Sequence, residues 1–333
     1  MDTVGKKEET ASLLEVRGVG KSYRGRKRGR IAAVRGVCFS LKRGRCLGVV
    51  GESGCGKSTL CRIIAGIEKP DFGEIRYCGV PADYKKDRQK IQMVFQNSMD
   101  AVNLHLNAEK IISEPLENFF SMDREGRRRE ASRLMELVGL SPEDMGKYPK
   151  QFSGGQLQRI CIARALAAKP ELLILDEPLS SLDVSVQAQL LNLLKDLQEQ
   201  LGLTCILVSH DLEAVYYLAD GLAVMYGGAL VETLSDIEAL SCLRHPYARK
   251  LLSVCREHGA EDFPFARNKE HMHKSGGFPG AERGAEDGEF PGIGEARGCV
   301  YAGCCPEADE VCLWKTPELS DREPGHRVAC HHV

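Results

Sequence analysis

The segment Gly51-Glu52-Ser53-Gly54-Cys55-Gly56-Lys57-Ser58 constrains this chain more than any other. It matches G-x-x-x-x-G-K-[ST], which needs a strand before it and a helix after it. Both are predicted: Cys46–Val50 is a continuous apolar run, and Lys57–Gly66 is amphipathic. Glycines let the backbone wrap closely, so successive N–H groups face a phosphate. The helix start adds the positive end of its dipole. In such a loop Lys57 reaches the β- and γ-phosphates, the Ser58 hydroxyl ligates Mg²⁺, and Thr59 follows in the first helical turn. The chemistry to expect is that of a nucleoside triphosphate.

The surrounding pattern agrees. Apolar strands are predicted at Leu13–Val16, Ile91–Phe95, Leu172–Leu175, Thr204–Val208 and Gly221–Tyr226. Helical patterns fall at Arg127–Val138, Gln156–Ala168 and Val184–Gln200. Continuous apolar strands alternating with helices predict a parallel sheet covered by helices, an α/β fold. The strand-rich stretch Leu13–Tyr77 predicts an antiparallel piece ahead of it. The run Leu172-Leu-Ile-Leu-Asp176-Glu177 ends a buried strand on two acids. Beside a phosphate loop, Asp176 suits Mg²⁺ and Glu177 suits polarising an attacking water.

Composition excludes several classes. The 333 residues are 43% hydrophobic and 28% charged, ordinary globular usage. A net charge of −2 gives no support to nucleic acid as a partner. The first ten residues, MDTVGKKEET, lack the apolar stretch of a signal peptide, and no segment has the ~20 apolar residues of a membrane span. The expected setting is cytoplasmic.

A second anion-binding helix start is predicted at Ser153-Gly154-Gly155-Gln156, preceded by Phe152 and followed by Leu157-Gln-Arg159 and Ala163-Arg-Ala-Leu166. With LLILDEP following, it resembles the signature of ABC transporter ATP-binding subunits, with Phe152 where Leu is commoner. The resemblance spans about residues 12–255. It implies a P-loop NTPase cassette with a RecA-like parallel-sheet core, an antiparallel β subdomain and a helical subdomain. It also implies that Ser153, Gly154, Gly155 and Gln156 meet the ATP of the opposite subunit in a head-to-tail dimer. Position by position it assigns Tyr23 to stacking on adenine and Gln96 to sensing Mg²⁺, water and the membrane partner. Asp183 couples the two sites, and His210 contacts the γ-phosphate. Catalysis then rests on Glu177, His210 and Gln96, with Ser58, Gln96 and Asp176 around Mg²⁺. ATP is expected to shield Cys55 from alkylation.

Within that family, Ser113-Glu-Pro-Leu116 and His245-Pro-Tyr247-Ala-Arg-Lys-Leu-Leu252 resemble the ATPases of oligopeptide and dipeptide importers and their nickel-importing relatives. Phe95-Gln-Asn-Ser-Met-Asp-Ala-Val-Asn103 looks closer to the nickel branch. These systems imply two integral-membrane permeases, a homologous ATPase partner in a heterodimer, and an extracytoplasmic substrate-binding protein, with this chain on the cytoplasmic face. A soluble ABC ATPase unconnected with transport is the competing class. Such chains usually carry two cassettes or a long coiled coil between the phosphate loop and the signature, and neither is present here.

The cysteines divide in two. Of fourteen, nine are scattered from Cys38 to Cys255, and five fall in the last 35 residues. The linker reading covers 256–298, glycine-rich and poor in aliphatics. The tail, 299–333, resembles the Cys-rich C-terminal module of the oligopeptide and dipeptide ATPases. Four of its thiols, Cys299, Cys305, Cys312 and Cys330, are spaced like ligands; Cys304 falls outside the frame. In some relatives four such cysteines hold a 4Fe–4S cluster, and four thiolates equally suit tetrahedral zinc. His271, His273, His331 and His332 read as solvated. The basic run Arg24–Arg30 reads as an exposed hairpin tip.

Overall fold

Alternating burial along Ser12–Arg24 (β1) and Arg30–Lys42 (β2) makes them two sides of one antiparallel ribbon, with Val16 opposite Phe39. The computed structural model describes residues 12–24, 30–257 and 298–333. The tip of the basic run at 25–29 and the linker at 258–297 lie outside the described residues. The chain forms two compact units, one from Met1–Ala82 with His210–Val333 and the other from Asp83–Ser209.

The first unit holds two sheet pieces. Cys46–Val50 is β3. Phe72–Tyr77 (β4) pairs with the other edge of β1, and Val80–Pro81 (β5) follows it, giving the order β2-β1-β4-β5. This is the antiparallel piece expected before the parallel core. β3 pairs in parallel with Gly221–Tyr226, the ninth strand in chain order (β9). β9 turns back through Ala229–Leu234 (β10). The last strands, Ser320–Glu323 (β11) and His326–Val328 (β12), extend the same sheet from β10, with Leu234 opposite His326.

The second unit is built on Ile91–Val94 (β6), Leu172–Asp176 (β7) and Thr204–Ser209 (β8), parallel and in register, with Leu175 opposite both Val94 and Leu207. β7 and β8 are buried throughout, so they read as unbroken apolar runs. Helices Gly154–Ala167 and Val184–Leu201 begin within two residues of their predicted starts. Helix Arg124–Leu137 starts one turn earlier than predicted, because Asp123 caps it by accepting the Gly126 N–H at 2.8 Å. Helix Ala108–Phe119 was not predicted: Pro115 lies inside it, where proline ordinarily marks a boundary. None of the described helices is long and apolar enough to cross a membrane.

Candidate functional site

The phosphate loop is shaped by what surrounds it. Gly56 caps helix Lys57–Ile64 with φ of 105°, and a Cβ there would lie 2.0 Å from the Ala33 carbonyl oxygen on β2. Only glycine satisfies both the backbone angle and the approach. Behind it, the Gly228 N–H donates to the Cys55 carbonyl at 3.0 Å, so the β9–β10 turn braces the loop. The buried Lys57 ammonium donates to the carbonyls of Gly51 and Glu52 at 2.7 and 3.0 Å, closing the loop into a ring. A tight ring of backbone with an embedded cation and a helix start is a fitting cradle for a polyphosphate. Cys55 is buried, and burial pushes its thiol up, so the protein itself already protects it.

Tyr23, near the end of β1, belongs to the same unit and is 40% exposed. Its hydroxyl donates to Glu68 and interacts with the Thr59 side chain, which ties the ring to the first turn of the phosphate-loop helix. An exposed ring held at that point can offer a face to a base.

A residue read from sequence only as part of a branch motif proves to touch the loop. The Glu52 N–H donates to the Tyr247 hydroxyl at 2.9 Å. Tyr247 is fully buried and packs against Tyr226, with centroids 4.6 Å apart, and against Tyr301, at 5.5 Å. Tyr301 comes from the tail, so aromatic packing links the tail to the phosphate loop through one hydrogen bond. His245 completes the cluster. Its Nδ1 accepts the Tyr247 N–H at 3.2 Å, and burial pushes its pKa down to about 4, so the ring is neutral. The HPY motif names these residues; nothing local in it says that they brace position 52.

In the second unit the Gln96 side-chain amide donates to the Glu177 carboxylate at 3.0 Å. Glu177 has φ of 46°, a left-handed conformation that non-glycine residues seldom adopt. Strain of this kind persists only where the surroundings impose it, and it collects at functional sites. Here the Glu177 N–H donates to the Val208 carbonyl at 3.0 Å, fixing the turn off β7. Asp176, one residue earlier, is 3% exposed at the strand end.

The signature forms a reciprocal cap. Ser153 Oγ accepts the Gln156 N–H at 3.3 Å, and Gln156 Oε1 accepts the Ser153 N–H at 3.0 Å. Ser153 and Gly154 face solvent. A Cβ on Gly155 would lie 2.4 Å from Val186, so this glycine lets the helix start close on Val184–Leu201. Asp183, which precedes that helix, is exposed. His210, in the first unit, follows β8 and is exposed, ahead of Asp211, which caps helix Leu212–Leu218.

The tail is anchored by a buried carboxylate. Glu232 on β10 is 0% exposed; it accepts N–H bonds from Arg244 and His245 at 2.7 and 2.9 Å, and His326 Nε2 lies 2.6 Å from it. Among the four ligand-spaced cysteines, the Cys299 N–H donates to the Cys312 carbonyl at 2.7 Å. Burial raises the thiols of Cys305, Cys312 and Cys330, and in each case the charge of Cys299 adds to it. The four thus share a neighbourhood. The ligand atoms that meet at a point are a different set: Asp309, Cys312 and His332. A single tetrahedral zinc on four cysteines needs its sulfurs together, since each Zn–S bond is only about 2.3 Å. Cys299, Cys305 and Cys330 are not in the converging group, so the four-thiolate zinc site is not assembled by these side chains.

The comparisons with known proteins follow the same lines. Residues 34–180 match the family model described as ABC transporter. The chain is 40% identical to the oligopeptide transport ATP-binding protein AppF of Bacillus subtilis (strain 168), covering 96% of this chain and 97% of that one. It is 41% identical to the dipeptide transport ATP-binding protein DppF of Escherichia coli (strain K12), covering 91% and 87%. Among solved structures, the dimeric bacterial ABC transporter cassette MJ0796 matches with a TM-score of 0.61 at 30% identity, over 66% of this chain and 96% of that one. The same cassette in a post-hydrolysis state bound to ADP and Pi matches with a TM-score of 0.60 at 29% identity, over 66% and 96%. With a loop and helix start that fit a polyphosphate and relatives of 40% and 41% identity matched over most of both chains, the chain belongs to the ABC transporter ATP-binding proteins.

Proposed function

We propose that this chain is the ATP-hydrolysing subunit of an importer for oligopeptides or dipeptides, working through separate membrane permeases. The observation that carries this is the identity of about 40% with oligopeptide and dipeptide transport ATP-binding proteins over 96% and 91% of the chain. Lys57 and the loop N–H groups bind the β- and γ-phosphates, and Ser58, Asp176 and Gln96 surround Mg²⁺. Glu177 polarises the attacking water, and His210 steadies the γ-phosphate. Tyr23 stacks on the base. The signature Ser153–Gln156, with Ser153 and Gly154 facing solvent, caps the ATP of a second, homologous ATPase subunit, and Asp183 links the two sites. The chain then works on the cytoplasmic face of the membrane, with two permeases and an extracytoplasmic peptide-binding protein.

In the same reading residues 12–255 are the cassette, 256–298 a linker and 299–333 a thiol module. Cys299, Cys305, Cys312 and Cys330 hold a 4Fe–4S cluster. Their shared neighbourhood without a common meeting point supports a cluster over a single ion, because a cubane spreads its thiolates more widely.

Reconstitution tests the transport reading. The chain is placed in liposomes with an ATPase partner and a pair of permeases that co-purify with it, together with a peptide-binding protein. ATP-dependent accumulation of labelled di- and oligopeptides is expected. Accumulation of nickel instead assigns the chain to the nickel branch. ATP hydrolysis unaffected by any permease pair points to a soluble ATPase.

A further inference from the structure

Asp309, Cys312 and His332 converge in the tail. Their ligand atoms all lie within 4.8 Å of one another. Cys312 Sγ is 3.3 Å from His332 Nε2, and that same nitrogen is 3.6 Å from an Asp309 carboxylate oxygen. One ring nitrogen carries either a proton or a lone pair. Without a metal the three are joined by hydrogen bonds, Cys312 to Asp309 and Cys312 to His332. The same three atoms, as thiolate, neutral ring nitrogen and carboxylate oxygen, can all offer lone pairs to one cation.

The distances suit such a centre. Zn–S of about 2.3 Å and Zn–N of about 2.0 Å at a tetrahedral angle put sulfur and nitrogen about 3.5 Å apart. Zn–N and Zn–O bonds place nitrogen and oxygen about 3.4 Å apart. The observed 3.3 and 3.6 Å lie close to both. The set is also held in place. Asp309 accepts the Cys312 N–H at 3.1 Å, fixing carboxylate and thiol one turn apart on Glu310–Trp314. His332 arrives from beyond β12. Cys312 is 5% exposed, whereas Asp309 and His332 face solvent, leaving an entry path and room for water as a fourth ligand.

We propose that Asp309, Cys312 and His332 form a mononuclear site for a borderline divalent cation, of which Zn²⁺ fits the thiolate–imidazole–carboxylate set. Binding releases the thiol proton to solvent. The site stands independently of the transport reading. It shares Cys312 with the cluster ligands, so one chain carries the zinc or the cluster, and metal supply selects between them.

The test uses the full chain with Cys299, Cys305 and Cys330 changed to Ser, which cannot hold a cluster. It is reduced, stripped of metal and titrated with Co²⁺. One equivalent is expected, with a sulfur-to-cobalt charge-transfer band and the visible bands of four-coordinate cobalt, displaced by zinc. In that background His332→Ala and Asp309→Ala should weaken binding tenfold or more, and Cys312→Ser should abolish the charge-transfer band. Absence of that band in the triple variant, or an unchanged titration after His332→Ala, overturns the proposal. Nucleotide binding reports whether the triple variant folds. If it does not, the cluster-free parent chain is titrated, and His332→Ala must weaken its Co²⁺ binding by the same factor; an unchanged affinity there also overturns the site.

Discussion

The phosphate loop and the C-terminal tail each gather groups suited to a charged ligand, and they do so by opposite means. The loop takes its groups from consecutive residues, and its donors are mostly backbone. Its shape follows from glycine at position 56 and a strand and helix at either side. The tail brings His332, from beyond β12, to Asp309 and Cys312 at the start of helix Glu310–Trp314, with β12 fastened to β10 through Glu232 and His326. A site made of neighbours in sequence survives as a motif. A site made of distant side chains depends on an anchoring partner that no motif records.

The largest expected effect separates the two regions chemically. Glu177→Gln should retain ATP binding and cut hydrolysis by about 10²–10⁴, the usual yield of a positioned acid–base group, while leaving the metal content of the tail unchanged. Steady-state hydrolysis and elemental analysis on the same preparation check this. Near-normal turnover would remove Glu177 from its assigned role, and a change in metal content would break the independence of loop and tail.

The next effect tests what joins them. His245 is held neutral by burial, with its pKa lowered from 6.5 to about 4. Below pH 6.5 the unfolded chain takes up a proton that the folded chain refuses, so stability falls as pH drops from 6.5 toward 4. The loss is up to about 3 kcal/mol. Urea titrations across that range should show the slope, and His245→Gln should flatten it.

Tyr247→Phe removes the acceptor of the Glu52 N–H while keeping the ring. The loss of one hydrogen bond, about 1 kcal/mol, should weaken ATP affinity by roughly fivefold with little change in kcat. An unchanged affinity would mean that the aromatic cluster supports the loop by packing alone. The smallest effect is at Cys55. Its alkylation should be far slower than that of the exposed Cys78 and Cys242, and ATP should slow it only slightly further, as mass spectrometry of labelled peptides would show.

Most of the loop was legible in the sequence. Strand β3 has its predicted bounds, and the helix after it starts at the predicted residue. The Ser153 cap needed only a four-residue motif. Glu177 was legible as an acid ending a buried strand beside the phosphate loop and Gln96 from its place in the family pattern, but their hydrogen bond joins residues that follow two different strands and had no local signal. Tyr247 and Tyr301 were hidden for the same reason, since ring packing leaves no periodicity. Helix Ala108–Phe119 was lost because a local rule reads Pro115 as an end, whereas the buried face of Ile111, Ile112 and Leu116 carries the helix past it. His332 read as solvated because its partners lie far back along the chain.

The Glu232–His326 pair bears on how the protein is made. Strand β10 leaves the ribosome with a carboxylate that will be wholly buried, and the imidazole that answers it is translated much later. Until then that edge of the sheet lacks both the strand that pairs with β10 and the imidazole that meets its carboxylate. Folding of the early segments can run ahead during synthesis. Completion of this edge waits for β12, so a chain released before it keeps an unpaired β10 edge and a carboxylate met only by the N–H groups of Arg244 and His245.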